Sequence, residues 1–376
     1  VITPSRREIS SRLNVPPEKF PVHVRLRALR SQFVQARLDA LVVTFPPHVR
    51  YLTGFSGSNG LCLITKTGQT FVSDGRYRVQ AREEVQGFRI LFATGSLLEV
   101  IARRHLLPPK ASVGYDEQHA TVAELKNLKK LFPRAHFVAA SGMVDRLAAV
   151  KDEGELGLIR HAVKITDAVF MKVVEMLKPG MSELDIAAEI SYLHRSHGAE
   201  GDAFEPIVAS GTRGAMPHAR ASRKKIKMGE LVTIDMGCRY GGYHSDLTRT
   251  LAVGKPNARA RNMYQVVADA QRLALDAAAS GIGGRTLDAI ARSFIKKKGY
   301  GKYFSHSLGH GLGLQVHELP RLSQLSTDTL AAGNVVTVEP GVYIPGFGGV
   351  RIEDDVVIRE RSAEVLNTAP KELIVV

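Results

Sequence analysis

The stretch "VTIDMGCRYGGYHSDLTRT", residues 232–250, decides how the larger part of this 376-residue chain is read. Two segments rich in β-branched residues flank "RYGG", a turn signal, so the stretch reads as a hairpin. Asp is disfavoured in strands, yet the hairpin carries Asp235 and Asp246. A two-residue turn at Tyr240-Gly241 sets the two aspartates directly opposite each other. A turn at Gly241-Gly242 makes them diagonal neighbours. Both registers leave them on one face, because strand side chains alternate with period two. Like charges so placed repel. Either both carboxylates face solvent, or something positive lies between them, and a divalent metal is the economical choice.

More acids and histidines occur in similar settings. "VVTVEPGVY", 335–343, is an apolar strand ended by Pro340-Gly341 with Glu339 at its tip. "GVRIEDDVVI", 349–358, reads as another strand, in which alternation puts Arg351, Glu353 and Asp355 on one face. "YFSHSLGHGLGLQVHE", 303–318, brings His306, His310 and His317 among glycines that allow close backbone approach. Buried carboxylates need a metal, a cation or hydrogen bonds. Asp235, Asp246, His310, Glu339 and Glu353 form a set of four carboxylates and one imidazole. That is too acidic for one structural zinc, and its charge balances two divalent cations. Oxygen-rich donors suit Mn²⁺, with Co²⁺, Fe²⁺ or Zn²⁺ as further choices. Two such ions about 3.5–4 Å apart hold a bridging hydroxide and polarise a carbonyl.

Working outward, Leu156, Ile159, Val163, Phe170, Val173 and Leu177 fall on one helical face, and "KPG" at 178–180 stops that helix. Ser182 then caps another, with Asp185 three residues on. "GMSELDIA" at 180–187 is echoed by "GRTLDAIA" at 284–291, each after a long helical stretch and before a strand-rich one. Residues 151–376 therefore read as two related halves, with the acids divided between them and the site between the halves. Residues 1–150 alternate differently. "DALVVTF", "LCLITK", "TFVSD", "FRILFAT", "ASVGYD" and "AHFVAA" are strand-like, and "VHVRLRALRSQFVQARL", "LLEVIARRHL" and "VAELKNLKKLF" are helical. This predicts an α/β domain with a mixed sheet, ahead of an α+β second domain.

A hydrophobic content of 44% and a charged content of 23% are those of a globular protein, and no apolar run approaches a membrane span. The polar opening, "VITPSRREISSRLNVPPEKF", has no signal-peptide core. Cys62 and Cys238 build no disulfide framework, which leads to the expectation of a cytoplasmic protein without membrane attachment. The net charge of +14 raises the question of nucleic acid, but the densest basic run is only "SRKKIK" at 222–227. Without an aromatic-studded basic strand or a recognition helix, no specific nucleic-acid partner is expected.

At these residues the chain resembles the M24-type metallopeptidases, the family of methionine aminopeptidase, aminopeptidase P and prolidase. The resemblance rests on "TIDMG", "HSDLTRT", "SHSLGHGLGLQVHE", "TVEPGVY" and "GVRIEDD", which occur in the family's order. It implies a pita-bread fold, a duplicated αβ unit around a dinuclear metal site. By resemblance Asp235 binds one metal bidentately, Asp246 and Glu353 bridge both, and His310 and Glu339 complete the set. Glu339 also shuttles the proton of the attacking water. "SGTRGAMPHARAS", 210–222, matches the segment whose histidine, here His218, faces the substrate. His306 and His317 match histidines near the scissile bond, and Arg351 matches an arginine beside the bridging glutamate. "RYLTGFSGSNG" at 50–60 and "SDGRY" at 73–77 resemble the creatinase-like N-terminal domain of aminopeptidase P and of bacterial Xaa-Pro dipeptidases, with the likeness leaning to aminopeptidase P. The resemblance thus implies an Xaa-Pro aminopeptidase acting on proline-containing peptides, working as a homodimer with two Mn²⁺ ions. An Xaa-Pro dipeptidase (prolidase) is the alternative, and a non-catalytic binding module the remote one.

Overall fold

The structure, a computed structural model, describes residues 21–376. The polar opening stretch lies outside the described residues. The chain divides into two compact units, the second running from Ala149 to Val376.

The first unit is built on a six-stranded sheet in the order Arg89–Ala93, Gln69–Asp74, Gly60–Thr65, Ala40–Val43, Ser112–Tyr115, His136–Ala139. The hairpin around Thr65–Gly68 and the pairing of Ala40–Val43 with Gly60–Thr65 are antiparallel, and the outer pairings are parallel. Ala40–Val43 lies inside the sheet and every residue of it is buried, hence its unbroken apolar sequence. The sequence-derived strands and helices of this unit are all present. Three short helices, Pro46–Thr53, Arg78–Glu84 and Met143–Ala149, are additional. Pro46 starts the first of them, where its missing N–H costs nothing, and Gly54 ends it at φ 82°.

The second unit repeats one plan. In the first half, helices Glu153–Met176 and Glu183–Ser196 precede the antiparallel strands Ile207–Ser210, Leu231–Met236 and Leu247–Ala252. In the second, helices Ala258–Ala277 and Gly284–Lys297 precede Gly309–Gly311, Val335–Val338 and Asp354–Ile358. The echoed octapeptides sit where each half's second helix begins, and the equivalence extends to the backbone. Ser182 bridges to Lys225 and Gly283 to Thr329, each just ahead of the half's central strand. Capping differs: Ser182 and Asp185 make a full capping box, whereas Gly283 offers no side chain. Each half has its own apolar core, one around Phe170, Ile190 and Ile234, the other around Met263, Leu287 and Val336. A buried Phe or Leu of this kind contributes roughly 1.5–3 kcal/mol.

Between the central and last strands of each half lies a small hairpin, Cys238–Tyr240 with Tyr243–His244 in the first and Gly341–Ile344 with Gly348–Arg351 in the second. The first turns at Gly241-Gly242, with φ 57° and 81°, the left-handed pair that a two-residue turn needs. That choice sets Thr248, not Asp246, opposite Asp235, so the two aspartates are diagonal neighbours. The run 349–358 is not the single strand the alternation suggested. Ile352 and Glu353 fall between Gly348–Arg351, which pairs with the hairpin, and Asp354–Ile358, which joins the main sheet.

Candidate metal centre

Each half delivers two acids from the same two places. Asp235 lies near the end of the central strand Leu231–Met236, and Glu339 directly follows the central strand Val335–Val338. Asp246 immediately precedes the last strand of the first half, and Glu353 that of the second. His310 comes from the first strand of the second half, Gly309–Gly311. Its flanking glycines are required by packing: a Cβ on Gly309 would stand 2.0 Å from the Thr337 carbonyl oxygen, and one on Gly311 would stand 2.1 Å from that of Leu319.

The five side chains converge. Metal-ligating atoms of Asp246, His310 and Glu353 all lie within 4.8 Å of one another. His310 Nε2 is 3.3 Å from Glu339 Oε1 and 3.8 Å from Asp246 Oδ2. Asp235 joins through Arg351, whose Nη2 donates to Asp235 Oδ2 at 2.5 Å. Hydrogen bonds, mostly across the halves, hold the acids in place. Thr248 Oγ1 donates to Glu353 Oε2 at 2.6 Å and accepts from Arg351 Nε at 3.0 Å. Thr337 Oγ1 donates to Glu339 Oε1 at 3.1 Å. The Asp246 N–H donates to Asp355 Oδ2 at 2.8 Å.

As a metal-free set these groups are in electrostatic conflict. Burial, then the charges of Glu353 and Asp235, push the Asp246 carboxyl well above the usual range. Burial, then Glu339 and Asp235, do the same to Glu353. Burial raises Glu339 to about 8, Arg351 pulling against it and Asp235 adding to it. Asp235 Oδ1 and Asp246 Oδ1 are buried without a hydrogen-bond partner among the described residues. His310 is pushed down to about 3 by burial and then by His317, so it is neutral near pH 7. Its Nδ1 lies 3.1 Å from the Gly311 carbonyl oxygen, which can only accept. The ring proton therefore sits on Nδ1, and Nε2 turns a lone pair toward carboxylate oxygens. Orphaned oxygens, mutually repelling acids and a bare imidazole nitrogen all fit divalent cations at this position.

The remaining candidates surround this cluster. His306 Nδ1 donates to the Ser307 carbonyl at 2.7 Å, so its Nε2 accepts from Tyr343 Oη at 2.8 Å, and that oxygen accepts from Arg351 Nη1 at 2.8 Å. Burial and then Arg351 lower His306 to about 3. The His317 ring lies 4.2 Å from that of His310, and its own value is lowered by partial burial and then by His218. His218 is exposed, and the preceding Pro217 carbonyl accepts from Arg351 Nη1 at 3.2 Å. Arg351 is itself buried and bonded to Asp235, Thr248, Tyr343 and Pro217, an arrangement suited to positioning.

Sequence reading had given no role to Thr248, Tyr343, Asp355 or Arg321. Tyr343 and Asp355 stood inside quoted motifs, but their partners are set by tertiary contact. Arg321 lies on strand Glu318–Leu322 directly opposite His310 in antiparallel register, so the two share a face. Its side chain is exposed and makes no hydrogen bond or ion pair with the described residues.

The chain is similar to known proteins along most of its length. Its sequence matches the family description "Metallopeptidase family M24" over residues 157–360 and "Creatinase/Prolidase N-terminal domain" over residues 25–150. It is 38% identical over 342 residues to the Xaa-Pro dipeptidase of Pyrococcus horikoshii, covering 90% of this chain and 95% of that protein. The solved Xaa-Pro dipeptidase from Bacillus anthracis superposes with a TM-score of 0.91 at 39% identity, covering 94% of this chain and 100% of that one. The X-Pro aminopeptidase from Thermotoga maritima MSB8 superposes with a TM-score of 0.85 at 37% identity, covering 90% of this chain and 98% of that one. Matches of this extent, on a fold that gathers the acids of both halves at one place, lead to one conclusion: the chain belongs to metallopeptidase family M24.

Proposed function

We propose that this protein is a metal-dependent Xaa-Pro dipeptidase that hydrolyses the imide bond of dipeptides ending in proline. The observation that carries hydrolysis is the buried acid set with its orphaned oxygens, Asp235 Oδ1 and Asp246 Oδ1. Enzymes of the family use a dinuclear divalent metal centre. Asp235, Asp246, His310, Glu339 and Glu353 would hold the ions here, with Mn²⁺ the first choice for so many oxygen donors. When bound, such ions polarise the substrate carbonyl and make water nucleophilic near neutral pH.

The chain's own residues supply the rest. Glu339 Oε1, held by Thr337, is placed to take a proton and return it to the proline nitrogen, which leaves without an N–H of its own. His317, neutral near pH 7, offers a ring N–H donor for a developing oxyanion, and His218 faces the same region from its exposed loop. The one N–H of neutral His306 goes to the Ser307 carbonyl, so His306 acts by accepting from Tyr343 Oη and fixing that hydroxyl. Arg351 positions Asp235 through a buried ion pair.

The choice of dipeptide over longer peptide reverses the leaning toward aminopeptidase P that the N-terminal motifs had prompted. Two supports favour it. The relatives named Xaa-Pro dipeptidase from Pyrococcus horikoshii and Pyrococcus furiosus are 38% and 37% identical over nearly their whole length. A dipeptide also presents a free proline carboxylate that needs a cation. Arg351 is already engaged, whereas Arg321, on the face of His310, is not. An X-Pro aminopeptidase is the second reading, favoured by the Thermotoga maritima neighbour. A cytoplasmic setting is also proposed, because Cys62 and Cys238 are free, buried thiols.

The test is to strip the protein with a chelator, restore Mn²⁺, and follow an Xaa-Pro dipeptide beside an Xaa-Pro-Xaa tripeptide by mass spectrometry. Cleavage of the dipeptide alone is the expected result. Release of the first residue from the tripeptide would make it an aminopeptidase. Cleavage of neither, with Mn²⁺, Co²⁺ or Zn²⁺, would overturn both readings.

A further inference from the structure

A second cluster of imidazoles and carboxylates sits in the N-terminal unit, and the proposed hydrolysis makes no use of it. His48, on helix Pro46–Thr53, is buried. Asp116 and His119 lie in the turn after strand Ser112–Tyr115, and Asp145 lies on helix Met143–Ala149. Three segments far apart in sequence thus meet at one point.

His48 presents each ring nitrogen to a carboxylate. Nε2 is 3.2 Å from Asp145 Oδ1, and Nδ1 is 3.5 Å from Asp116 Oδ2. His119 Nδ1 lies 2.8 Å from the same Asp116 oxygen. A neutral imidazole carries one N–H. If Nε2 donates to Asp145, Nδ1 turns its lone pair toward an acceptor, a contact that only a proton or a cation makes favourable. Ligating atoms of His48, Asp116 and His119 all lie within 4.8 Å of one another. One ion with bonds of about 2 Å spans that distance after small side-chain adjustments.

The surroundings suit such an ion. Asp116 Oδ1 is already taken by the Gln118 N–H at 3.1 Å, which leaves Oδ2 for the centre. Phe45 stacks on His119 at 3.7 Å and meets His48 edge-on at 4.9 Å, so both rings are held and one side is dry. Asp145 stands to His48 as a carboxylate stands to a metal-bound histidine that it orients. Its second oxygen, Oδ2, is buried without a partner among the described residues.

We infer that His48, His119 and Asp116 bind one divalent transition-metal ion of the zinc class, with Asp145 orienting His48. Two imidazoles and one carboxylate suit Zn²⁺ or Co²⁺ better than Mn²⁺. His119 and Asp116 are 22% and 17% exposed, which gives the ion access and leaves a fourth position for water. The ion is a clip: it ties helix Pro46–Thr53 and helix Met143–Ala149 to the end of a central strand.

The experiment uses the full chain, stripped with a chelator, saturated with Mn²⁺ and then dialysed against buffered Zn²⁺. Zinc per chain is measured by mass spectrometry for the wild type, His48→Gln and His119→Gln. Each variant is expected to carry one equivalent less than the wild type, with Mn²⁺-supported dipeptide hydrolysis unchanged. Zn²⁺ is expected to raise the wild-type thermal midpoint and not that of His119→Gln. Asp145→Asn should weaken the zinc affinity about 10–100-fold without changing the stoichiometry. His48 is buried, so if His48→Gln does not fold, His119→Gln on the partly exposed ring decides. Full zinc content in His119→Gln would overturn the site and leave a hydrogen-bonded ion cluster in its place.

Discussion

The two halves of the second unit carry the same strand plan and the same acid positions, but not the same cations. Asp235 and Asp246 in one half correspond to Glu339 and Glu353 in the other, each pair flanking a small hairpin. The first strand of each trio breaks the equivalence: Ile207–Ser210 carries no acid or histidine, whereas Gly309–Gly311 carries His310. His306, His317, Arg321 and Arg351 also belong to the second half. Duplication thus accounts for an even division of negative charge. The uneven division of imidazole and guanidinium would give the proposed centre a substrate side. On the proposed reading, acids of both halves would hold the ions, and donors to a carbonyl or a carboxylate would come mainly from one.

The strongest way to break this comparison is to remove one acid from each half. Asp246→Asn and Glu353→Gln occupy equivalent places, so both should lower dipeptide hydrolysis by about 10³-fold or more, on the order of 4 kcal/mol of barrier. Steady-state rates at saturating Mn²⁺ check this. A variant in only one half losing activity would mean that the equivalence is structural and not chemical.

The cation asymmetry is tested next. Arg321→Ala should raise KM for an Xaa-Pro dipeptide about 10–100-fold, in line with losing a charge-assisted hydrogen bond of roughly 1.5–3 kcal/mol. The same change should leave kcat and any tripeptide cleavage nearly unaltered. An equal effect on both substrates would remove Arg321 from carboxylate recognition.

A smaller effect is expected where the halves are stitched together. Thr248 belongs to the first half, yet it bonds Glu353 and Arg351 of the second. Thr248→Val should weaken Mn²⁺ binding roughly 10-fold, as loss of a group that orients a ligand does. Calorimetric titration reads it.

The smallest effect is on stability against pH in the chelated protein. Glu339 titrates near 8 in the folded metal-free state against an ordinary 4.5, and Asp246 and Glu353 shift in the same direction. The folded state then holds protons more tightly than the unfolded one. Its contribution to stability is full below about pH 4.5 and is lost as pH rises through about 8. The thermal midpoint should fall by several degrees over that window, and saturating Mn²⁺ should flatten the fall. A midpoint that rises with pH would show that the acids are not in mutual conflict.

What was legible in the sequence follows from these contrasts. Asp235, Asp246, Glu339 and Glu353 stand out because an acid in an apolar, β-branched run contradicts local propensity, and such contradictions concentrate at functional sites. The duplicated helix starts were visible because a cap and an amphipathic period are local signals. The hairpin register was open until Gly241 and Gly242 were both found with positive φ. The break at Ile352–Glu353 was hidden because an apolar run does not say which neighbour each part pairs with. Tyr343 and Thr248 matter through partners set by tertiary contact, Arg321 is placed only by its cross-strand pairing with His310, and His48, Asp116, His119 and Asp145 are scattered with no common period. The choice between dipeptide and longer peptide is hard to read from sequence for the same reason. Loop motifs near Gly54 and Asp74 lean to aminopeptidase P, the relatives named Xaa-Pro dipeptidase lean to the dipeptide, and the deciding quantity, which cation meets the substrate, is a tertiary one.

The central claim is that the five residues shared between the halves hold two divalent ions that hydrolysis needs. The most direct test titrates Mn²⁺ into chelator-stripped protein and measures bound Mn²⁺ and dipeptide hydrolysis in the same samples. The account predicts two bound equivalents, activity that follows their binding, and loss of both readouts in Asp246→Asn. Full hydrolysis by the stripped protein, or two equivalents still bound in Asp246→Asn, would contradict it.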